Sequence, residues 1–172
     1  KKHYDLLKYE TPNISGRMDH LRASILRPQL GELMERVAKW NELYQMLEEG
    51  LRSTPGLTIV ERPKSEKYVG SSFQFLLLDW PSEQVKKVVA DCFSRGVELK
   101  WFGEANPHGF TSRYDSWRYV PSEPMAKTDR VLSGLLDLRL PLSFTKSDCA
   151  LIASIIKNVV QKIFENSHAS DK

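Results

Sequence analysis

The longest regular pattern of apolar positions lies in the first third of the chain. Its apolar residues recur at alternating steps of four and three, which places them on one side of an α-helix. Most residues between them are charged or polar, as expected for the solvent side of an amphipathic helix. The pattern therefore predicts a long helix with one apolar stripe. The stripe consists of Leu26, Leu30, Leu33, Val37, Trp40, Tyr44, Leu47 and Leu51.

The ends and the straightness of this helix depend on a few residues. A short oxygen-bearing side chain can cap the free N–H groups of a first turn, and the candidates here are Ser15 and, as the less favoured choice, Asp19. Pro28 lies inside the pattern, where it removes one N–H and crowds the preceding turn. We therefore expect a kink or break between Arg27 and Gly31.

Beyond a turn at residues 54–56, short apolar runs alternate with helical patterns. The run from Ser72 to Leu78 becomes apolar on both faces, which predicts a central strand. Residues 97–101 alternate between apolar and charged positions, as in a strand with one wet face. The remaining predicted elements are a strand at 57–60, a helix capped by Ser82 that ends with a left-handed Gly96, a helix from Thr128 to Leu136 capped by Thr128, a short strand at 138–142, and a last helix opened by a capping box at Thr145–Asp148.

The order of these elements predicts the fold class. It is α/β in the α+β sense, with a long kinked N-terminal helix followed by a two-layer sandwich. One layer is a small, mainly antiparallel sheet, and the helices cover one side of it. We expect a tether at residues 1–16, a linker helix at 17–53, a small α/β domain at 54–166 and a frayed tail at 167–172.

Composition and charge exclude several functional classes. The chain has 172 residues, a net charge of +3 and no run of basic residues, so no nucleic-acid or membrane partner is expected. No signal peptide or membrane-length apolar run is visible, which predicts a cytoplasmic protein. Cys92 and Cys149 lie in apolar helical patterns and are expected to be buried free thiols. The chain begins with two lysines and no Met, which suggests a fragment of a longer protein.

No complete catalytic motif is present in this sequence. It has no glycine-rich phosphate loop, no metal-binding cluster and no recognisable pair of nucleophile and base, so we assign no catalytic or metal-binding residue. Residues 102–127 lack periodicity but are rich in aromatic side chains. A long irregular stretch in a compact domain is usually functional or disordered, and its aromatic content argues against disorder.

The first helix carries a motif that resembles the signature of DegT/DnrJ-type aminotransferases. The later elements follow the order of that family's C-terminal part, including a Pro-His loop. The resemblance implies the small domain of a fold-type I enzyme that uses pyridoxal 5′-phosphate (PLP). It also implies a homodimer, a small amino donor, and a keto-sugar or similar ketone, possibly nucleotide-linked, as acceptor. The matching residues are Arg17-Met18, the face Leu21, Ala23 and Ile25, and Gln29-Leu30.

The resemblance also implies a cofactor-binding segment before the first helix. In the family, an Asn of this motif reaches across the dimer to the cofactor phosphate. Here Ser15 occupies that position and Asn13 stands two residues earlier, so either Asn13 or Ser15 takes the role, with Arg17 as the nearby cation. A purely structural alternative is that Ser15 caps the helix, Asn13 makes a turn and Arg17 forms a surface ion pair.

A second implied site lies in the irregular stretch. The family has a Pro-His loop near its substrate pocket, which assigns substrate binding here to His108, Arg113 and Tyr114. Guanidinium and aromatic groups suit a nucleotide or a phosphorylated substrate. For Trp117 and Tyr119, packing against a neighbouring domain is the favoured interpretation.

The family's Schiff-base lysine belongs to its large domain, upstream of the Arg-Met motif, and no lysine of this chain matches it. PLP would therefore be bound mainly by that missing domain, and the fragment alone should be inactive. Two other functions stay open. One is a non-catalytic interaction module that dimerises through the first helix. The other is a single-stranded nucleic-acid module, for which the strands lack a clear stacking motif.

Overall fold

The computed structural model of the chain describes Glu10, Gly16, residues 18–105 and residues 114–169. Helices and strands alternate along this part of the chain in an α/β fold. In chain order, the elements are α1 (His20–Leu30), α2 (Leu33–Leu51), β1 (Thr58–Ile59), β2 (Ser72–Leu76), α3 (Ser82–Phe93), β3 (Lys100–Trp101), a 3₁₀ helix (Tyr114–Ser116), α4 (Ala126–Gly134), β4 (Leu135–Arg139) and α5 (Lys146–Ala169).

The four strands form one antiparallel sheet in the order β1-β2-β4-β3. The predicted central position of β2 is confirmed, because β2 lies between β1 and β4. Phe73 pairs with Leu138 and Phe75 with Leu136, and all four side chains are buried on one face of the sheet. Gln74, which alternates with the two phenylalanines, is exposed on the other face. The predicted two-layer α/β architecture is therefore confirmed.

The core lies between the sheet and the helices α2 and α5, which pack against each other. The ring of Tyr44 on α2 contacts the ring of Phe73 on β2, with 4.9 Å between the ring centroids. Leu47 and Leu51 on α2 and Ile156 on α5 are fully buried. Full burial of one such side chain stabilises a fold by about 1.5–3 kcal/mol, so this seam is a main source of stability.

The predicted apolar stripe is buried only in its second half. From Tyr44 onward its residues belong to the core, and the indole N–H of Trp40 donates to the Leu140 carbonyl at 2.8 Å. The first half is uncovered, since Leu26, Leu30 and Leu33 are 43%, 67% and 45% exposed. Core packing therefore accounts only for the second half of the stripe, and α1 presents an apolar surface.

The predicted break in the first helix is present at Gly31–Glu32, just beyond Pro28. The N–H groups of Gly31 and Glu32 bond the carbonyls three residues earlier, at 3.3 Å each, which tightens the last turn of α1. Asp19 rather than Ser15 is the N-cap, because α1 begins at His20 and the Asp19 side chain accepts a hydrogen bond from the Arg22 N–H.

Two other predicted caps are wrong. Neither α3 nor α4 has a side-chain cap, because Ser82 and Thr128 lie inside the helices rather than before them. The helix predicted from Thr128 to Leu136 ends at Gly134, and the strand predicted at 138–142 runs instead from Leu135 to Arg139.

Several local predictions are confirmed. Thr145 and Asp148 form the capping box at the start of α5, and Gly96 has a left-handed φ of 84° after α3. Cys92 and Cys149 are buried free thiols, and burial raises the pKa of Cys92 to about 12.

Among residues 18–105 and 114–169, no helix is long and apolar enough to span a membrane.

Candidate functional site

Most residues of the two sites implied by the resemblance lie outside the described part of the chain. This holds for Asn13, Ser15 and Arg17 of the cofactor segment and for His108 and Arg113 of the substrate loop. Tyr114 is described, and so are residues close to both segments. The site is therefore built from Tyr114 and from these flanking residues.

Tyr114 lies in the 3₁₀ helix and is half-buried against the first turn of α4. Its hydroxyl accepts a hydrogen bond from the Met125 N–H at 3.0 Å and donates to the Asp129 carboxylate at 3.0 Å. A tyrosine hydroxyl has one proton to donate, and this one goes to Asp129. The side chain therefore anchors the segment that follows the substrate loop, and only its remaining lone pair can meet a ligand.

An ion pair joins two residues that lie close in sequence to the two predicted site segments. The guanidinium of Arg118, four residues after Tyr114, donates to the carboxylate of Glu10, which stands three residues before Asn13. The two residues are 108 positions apart in sequence. Glu10 therefore contacts the turn that follows the substrate loop.

The same turn carries a pair of exposed aromatic rings. Residues 117–120 form the turn, with the Val120 N–H donating to the Trp117 carbonyl at 3.4 Å. The rings of Trp117 and Tyr119 lie nearly parallel, with 14° between their planes and 6.5 Å between their centroids. Arg118 lies between these two residues in sequence, so cationic and aromatic groups share the turn.

The N-terminus of α1 borders an open cavity of about 600 Å³, lined by Gly16, Met18, Asp19 and Arg22. Helix N-termini favour anions. Here the Asp19 carboxylate already accepts the Arg22 N–H at 2.8 Å and pairs with the Arg22 guanidinium. The first turn of α1 is thus capped by an internal carboxylate, and a phosphate at this end would depend on donors from residues before Asp19.

The residues of this chain suit the phosphate of PLP, but the described residues offer no enclosed amine for its aldehyde. An amide, a hydroxyl and a guanidinium at Asn13, Ser15 and Arg17 are suitable donors for a phosphate. The cofactor also requires an amine in a protected site. Every lysine between residues 18 and 105 or 114 and 169 is exposed or half-buried, and none is enclosed. In the same two ranges, no cluster of three or more His, Cys, Asp or Glu side chains could hold a metal ion.

The model of the DegT/DnrJ/EryC1/StrS aminotransferase family matches residues 2–157 of the chain. The chain belongs to this family. The match includes the tether, both predicted site segments and the first half of α5, so the resemblance seen in the Arg-Met motif is confirmed. No curated protein sequence matches the chain.

Solved structures of DegT/DnrJ/EryC1/StrS-type and related aminotransferases have the same fold. 3-Amino-5-hydroxybenzoic acid synthase is 18% identical, with a TM-score of 0.68 over 94% of this chain and 47% of that one. Helicobacter pylori PseC, an aminotransferase of pseudoaminic acid biosynthesis, is 12% identical, with a TM-score of 0.71 over 89% and 41%. DesI, solved with its TDP-sugar product, is 14% identical, with a TM-score of 0.60 over 83% and 36%. The chain spans less than half the length of each of these proteins.

The sequence analysis did not assign three residues that shape this site. Glu10, Arg118 and Asp129 carry its described hydrogen bonds, yet none belongs to a motif. Their partners are 15 to 108 positions away, so no periodicity connects them. The aromatic-Arg-aromatic spacing at 117–119 was the one available signal.

Proposed function

We propose that this chain is the C-terminal domain of a PLP-dependent aminotransferase that transfers an amino group to a keto-sugar or a similar ketone. Catalysis requires a lysine-bearing large domain, and this domain alone is inactive. The cofactor is bound mainly by the large domain, while this chain contributes phosphate contacts, substrate contacts and association surface.

The Glu10–Arg118 ion pair is the observation that carries this proposal, in a chain whose family is established. It ties the chain just before the cofactor segment to the chain just after the substrate loop. Cofactor and substrate must meet for an amino group to pass between them. A contact that joins these two parts of the chain therefore supports one shared site.

The roles of the individual residues follow from their chemistry. Asn13 or Ser15 donates a hydrogen bond to the cofactor phosphate, and Arg17 supplies positive charge. His108 and Arg113 bind polar groups of the substrate, and Tyr114 holds the end of their loop against α4. PLP supplies the electron-accepting ring that the chemistry of amino transfer needs.

The experiment compares single variants in the protein that contains this domain and its large domain. PLP retention after gel filtration is measured by absorbance, which requires no turnover. Asn13→Ala should weaken retention by about tenfold or more, since about 1.4 kcal/mol corresponds to tenfold and a hydrogen bond to a charged group contributes about 1.5–3 kcal/mol. Ser15→Ala should leave retention unchanged.

Asp19→Ala is the control, because it removes the observed cap of α1 without touching a proposed phosphate donor. It should lower stability by about 1 kcal/mol and leave PLP retention unchanged. If Ser15 is the contact, the effects of Asn13→Ala and Ser15→Ala are exchanged. Unchanged retention in both variants would show that the phosphate role is wrong.

A second function is favoured by the uncovered side of α1. We propose that the large apolar residues of this helix form a surface for homodimer association. Isolated apolar residues are normal on protein surfaces, whereas a short helix that buries none of its large apolar residues favours an interaction site. The exposed large apolar residues of α1 are Leu21, Ile25, Leu26 and Leu30, and Met18, Leu33 and Met34 are exposed just beyond its two ends.

A further inference from the structure

We propose that the outer edge of β3 is a second association surface. It pairs with β3 of a second copy of the chain, in an antiparallel, two-fold arrangement centred on Leu99. The inference goes beyond the proposed function, because this surface is separate from α1 and needs neither cofactor nor substrate. It depends on the position of β3 in the sheet, on the charges beside Leu99 and on an apolar cavity at the same edge.

β3 lies at one end of the sheet, and none of the described strands pairs with its outer side. The Phe102 N–H donates to the Leu135 carbonyl at 3.0 Å, so the backbone groups of residue 102 face β4. Because these directions alternate along a strand, the N–H and C=O groups of Leu99 and Trp101 face outward. Such a row of backbone groups is a template for another strand.

The side chains around β3 alternate between the two faces of the sheet. Val97, Leu99 and Trp101 are buried on the helix side, whereas Glu98 and Lys100 lie on the opposite face. Natural sheets often protect an edge with charges of one sign, usually lysines. Here a negative and a positive side chain flank Leu99 on one face, so the edge is complementary to a second copy that runs in the opposite direction.

The two charges also select the register of the pair. When Leu99 stands opposite Leu99 of the second copy, each Glu98 stands opposite Lys100 of the other chain. Opposite charges directly across a strand pair are favourable and like charges are unfavourable, so a pair centred on Lys100 is disfavoured. An ammonium group has three donors, so Lys100 can bond this carboxylate in addition to a contact within its own chain.

The charges continue to alternate away from this pair of strands. Lys100 stands opposite Asp137 of β4 in the sheet. The same register, continued by two residues, brings Arg139 beside Glu98, and both of these side chains line one cavity with Lys100. Across the joined sheets, every charged side chain of this row therefore has neighbours of opposite sign.

On the helix side, an open cavity of about 420 Å³ lies beside the same edge. Val89 and Phe93 of α3 line it together with Leu99 and Trp101, and Phe93 is 68% exposed. A two-fold axis perpendicular to the sheet keeps both α3 helices on one side of the joined sheets. The two Phe93 side chains then approach each other at this cavity, which removes apolar surface from water.

The test uses the 172-residue chain with Leu21→Gln and Ile25→Gln, which remove the apolar surface proposed at α1. Sedimentation velocity of this background chain, at concentrations up to the millimolar range, measures the association that remains. Glu98→Lys and Lys100→Glu are each added to the background chain, since each places like charges opposite each other. Circular dichroism verifies that every variant is folded.

Each charge variant should associate about tenfold or more weakly than the background chain. An equimolar mixture of the two variants should regain the association, because opposite charges face each other again in the mixed pair. The neighbours within each chain are the same in the mixture, so only contacts between chains can explain the recovery. Phe93→Ser should also weaken association.

Lys87→Glu is the matched control, because it makes the same change of charge at an exposed position of α3 that does not line the cavity. It should leave association unchanged. The proposal would be overturned by a background chain that stays monomeric, by undiminished association of the folded charge variants, or by a mixture that associates no better than its components. An equal loss in Lys87→Glu would also overturn it, because net charge would then explain the effect.

Discussion

At the start of α5, the side chains of Thr145 and Asp148 each accept a hydrogen bond from the backbone N–H of the other residue. The Asp148 carboxylate accepts the Thr145 N–H at 2.8 Å, and the Thr145 hydroxyl accepts the Asp148 N–H at 3.2 Å. This is a capping box with Asp in place of Glu. The Thr145 N–H, followed by the Thr145 hydroxyl, holds the pKa of Asp148 below its ordinary value of 3.8, since both favour the charged carboxylate.

The capping box therefore makes stability depend on pH. Because the pKa of Asp148 is lower in the folded state, its contribution is fully present above the ordinary pKa of 3.8 and is lost as pH falls through the folded-state pKa. Asp148→Ala should lower the free energy of unfolding at pH 7, and its difference from the natural chain should shrink below pH 3.8. Urea unfolding at a series of pH values measures both.

Glu49→Ala is the control for this prediction. Glu49 is an exposed carboxylate on α2, away from any helix start. The difference between this variant and the natural chain should vary much less over the same pH range. A difference for Asp148→Ala that stays constant from pH 7 to pH 2 would contradict the assignment, because an uncharged role would then explain the loss.

At the scale of elements, the junction of α4 and β4 is fixed by its contact with the turn after β2. The Leu77 N–H donates to the Gly134 carbonyl at 2.9 Å, and a Cβ at Gly134 would lie 2.3 Å from the Leu77 carbonyl oxygen. Arg130 adds two hydrogen bonds to Asp79, at 2.8 and 2.6 Å. The hydrogen bonds from Arg130 lower the pKa of Asp79, and Asp79 has a left-handed φ of 62°.

Gly134→Ala should therefore destabilise the chain by roughly 1–3 kcal/mol, because the added methyl group meets backbone that cannot move away cheaply. Guanidinium unfolding measures the loss. Gly31→Ala is the matched control, since Gly31 has an ordinary helical φ of −63° and its Cβ would lie 3.5 Å from the nearest atom. It should be neutral or stabilising by about 0.4–1 kcal/mol. Equal effects of the two variants would refute the steric argument.

This junction shows why some boundaries could not be predicted. The apolar run that contains β2 and the capping box of α5 are local patterns, and both were predicted. The end of α4 depends on Leu77, which is 57 positions from Gly134, so residues near Leu136 were assigned to the wrong element. In the candidate site, Tyr114 was predicted, but its anchoring by Asp129 depends on a contact that sequence spacing does not encode.

At the scale of the whole molecule, the sheet and the later helices enclose a buried core, whereas no residue of α1 is buried. The hydrophobic pattern predicted the helix and its apolar stripe, but such a pattern does not show which residues the stripe contacts. The helix α1 also exposes two large apolar residues that lie outside the stripe. Leu21 and Ile25 lie one helical turn apart and are 72% and 55% exposed. The sequence therefore specifies more apolar surface than the described residues of one chain bury.

We expect this surface to hold two copies of the chain together. Burial of one Leu or Ile side chain is worth about 1.5–3 kcal/mol, so Leu21→Gln combined with Ile25→Gln should weaken association by more than about tenfold. Sedimentation velocity over a range of micromolar concentrations measures the change. Leu151→Gln is the control, because Leu151 is 62% exposed on α5 and lies outside this surface, so it should leave association unchanged. A natural chain that remains monomeric, or a double variant that associates as the natural chain does, would show that α1 is not the dimer surface.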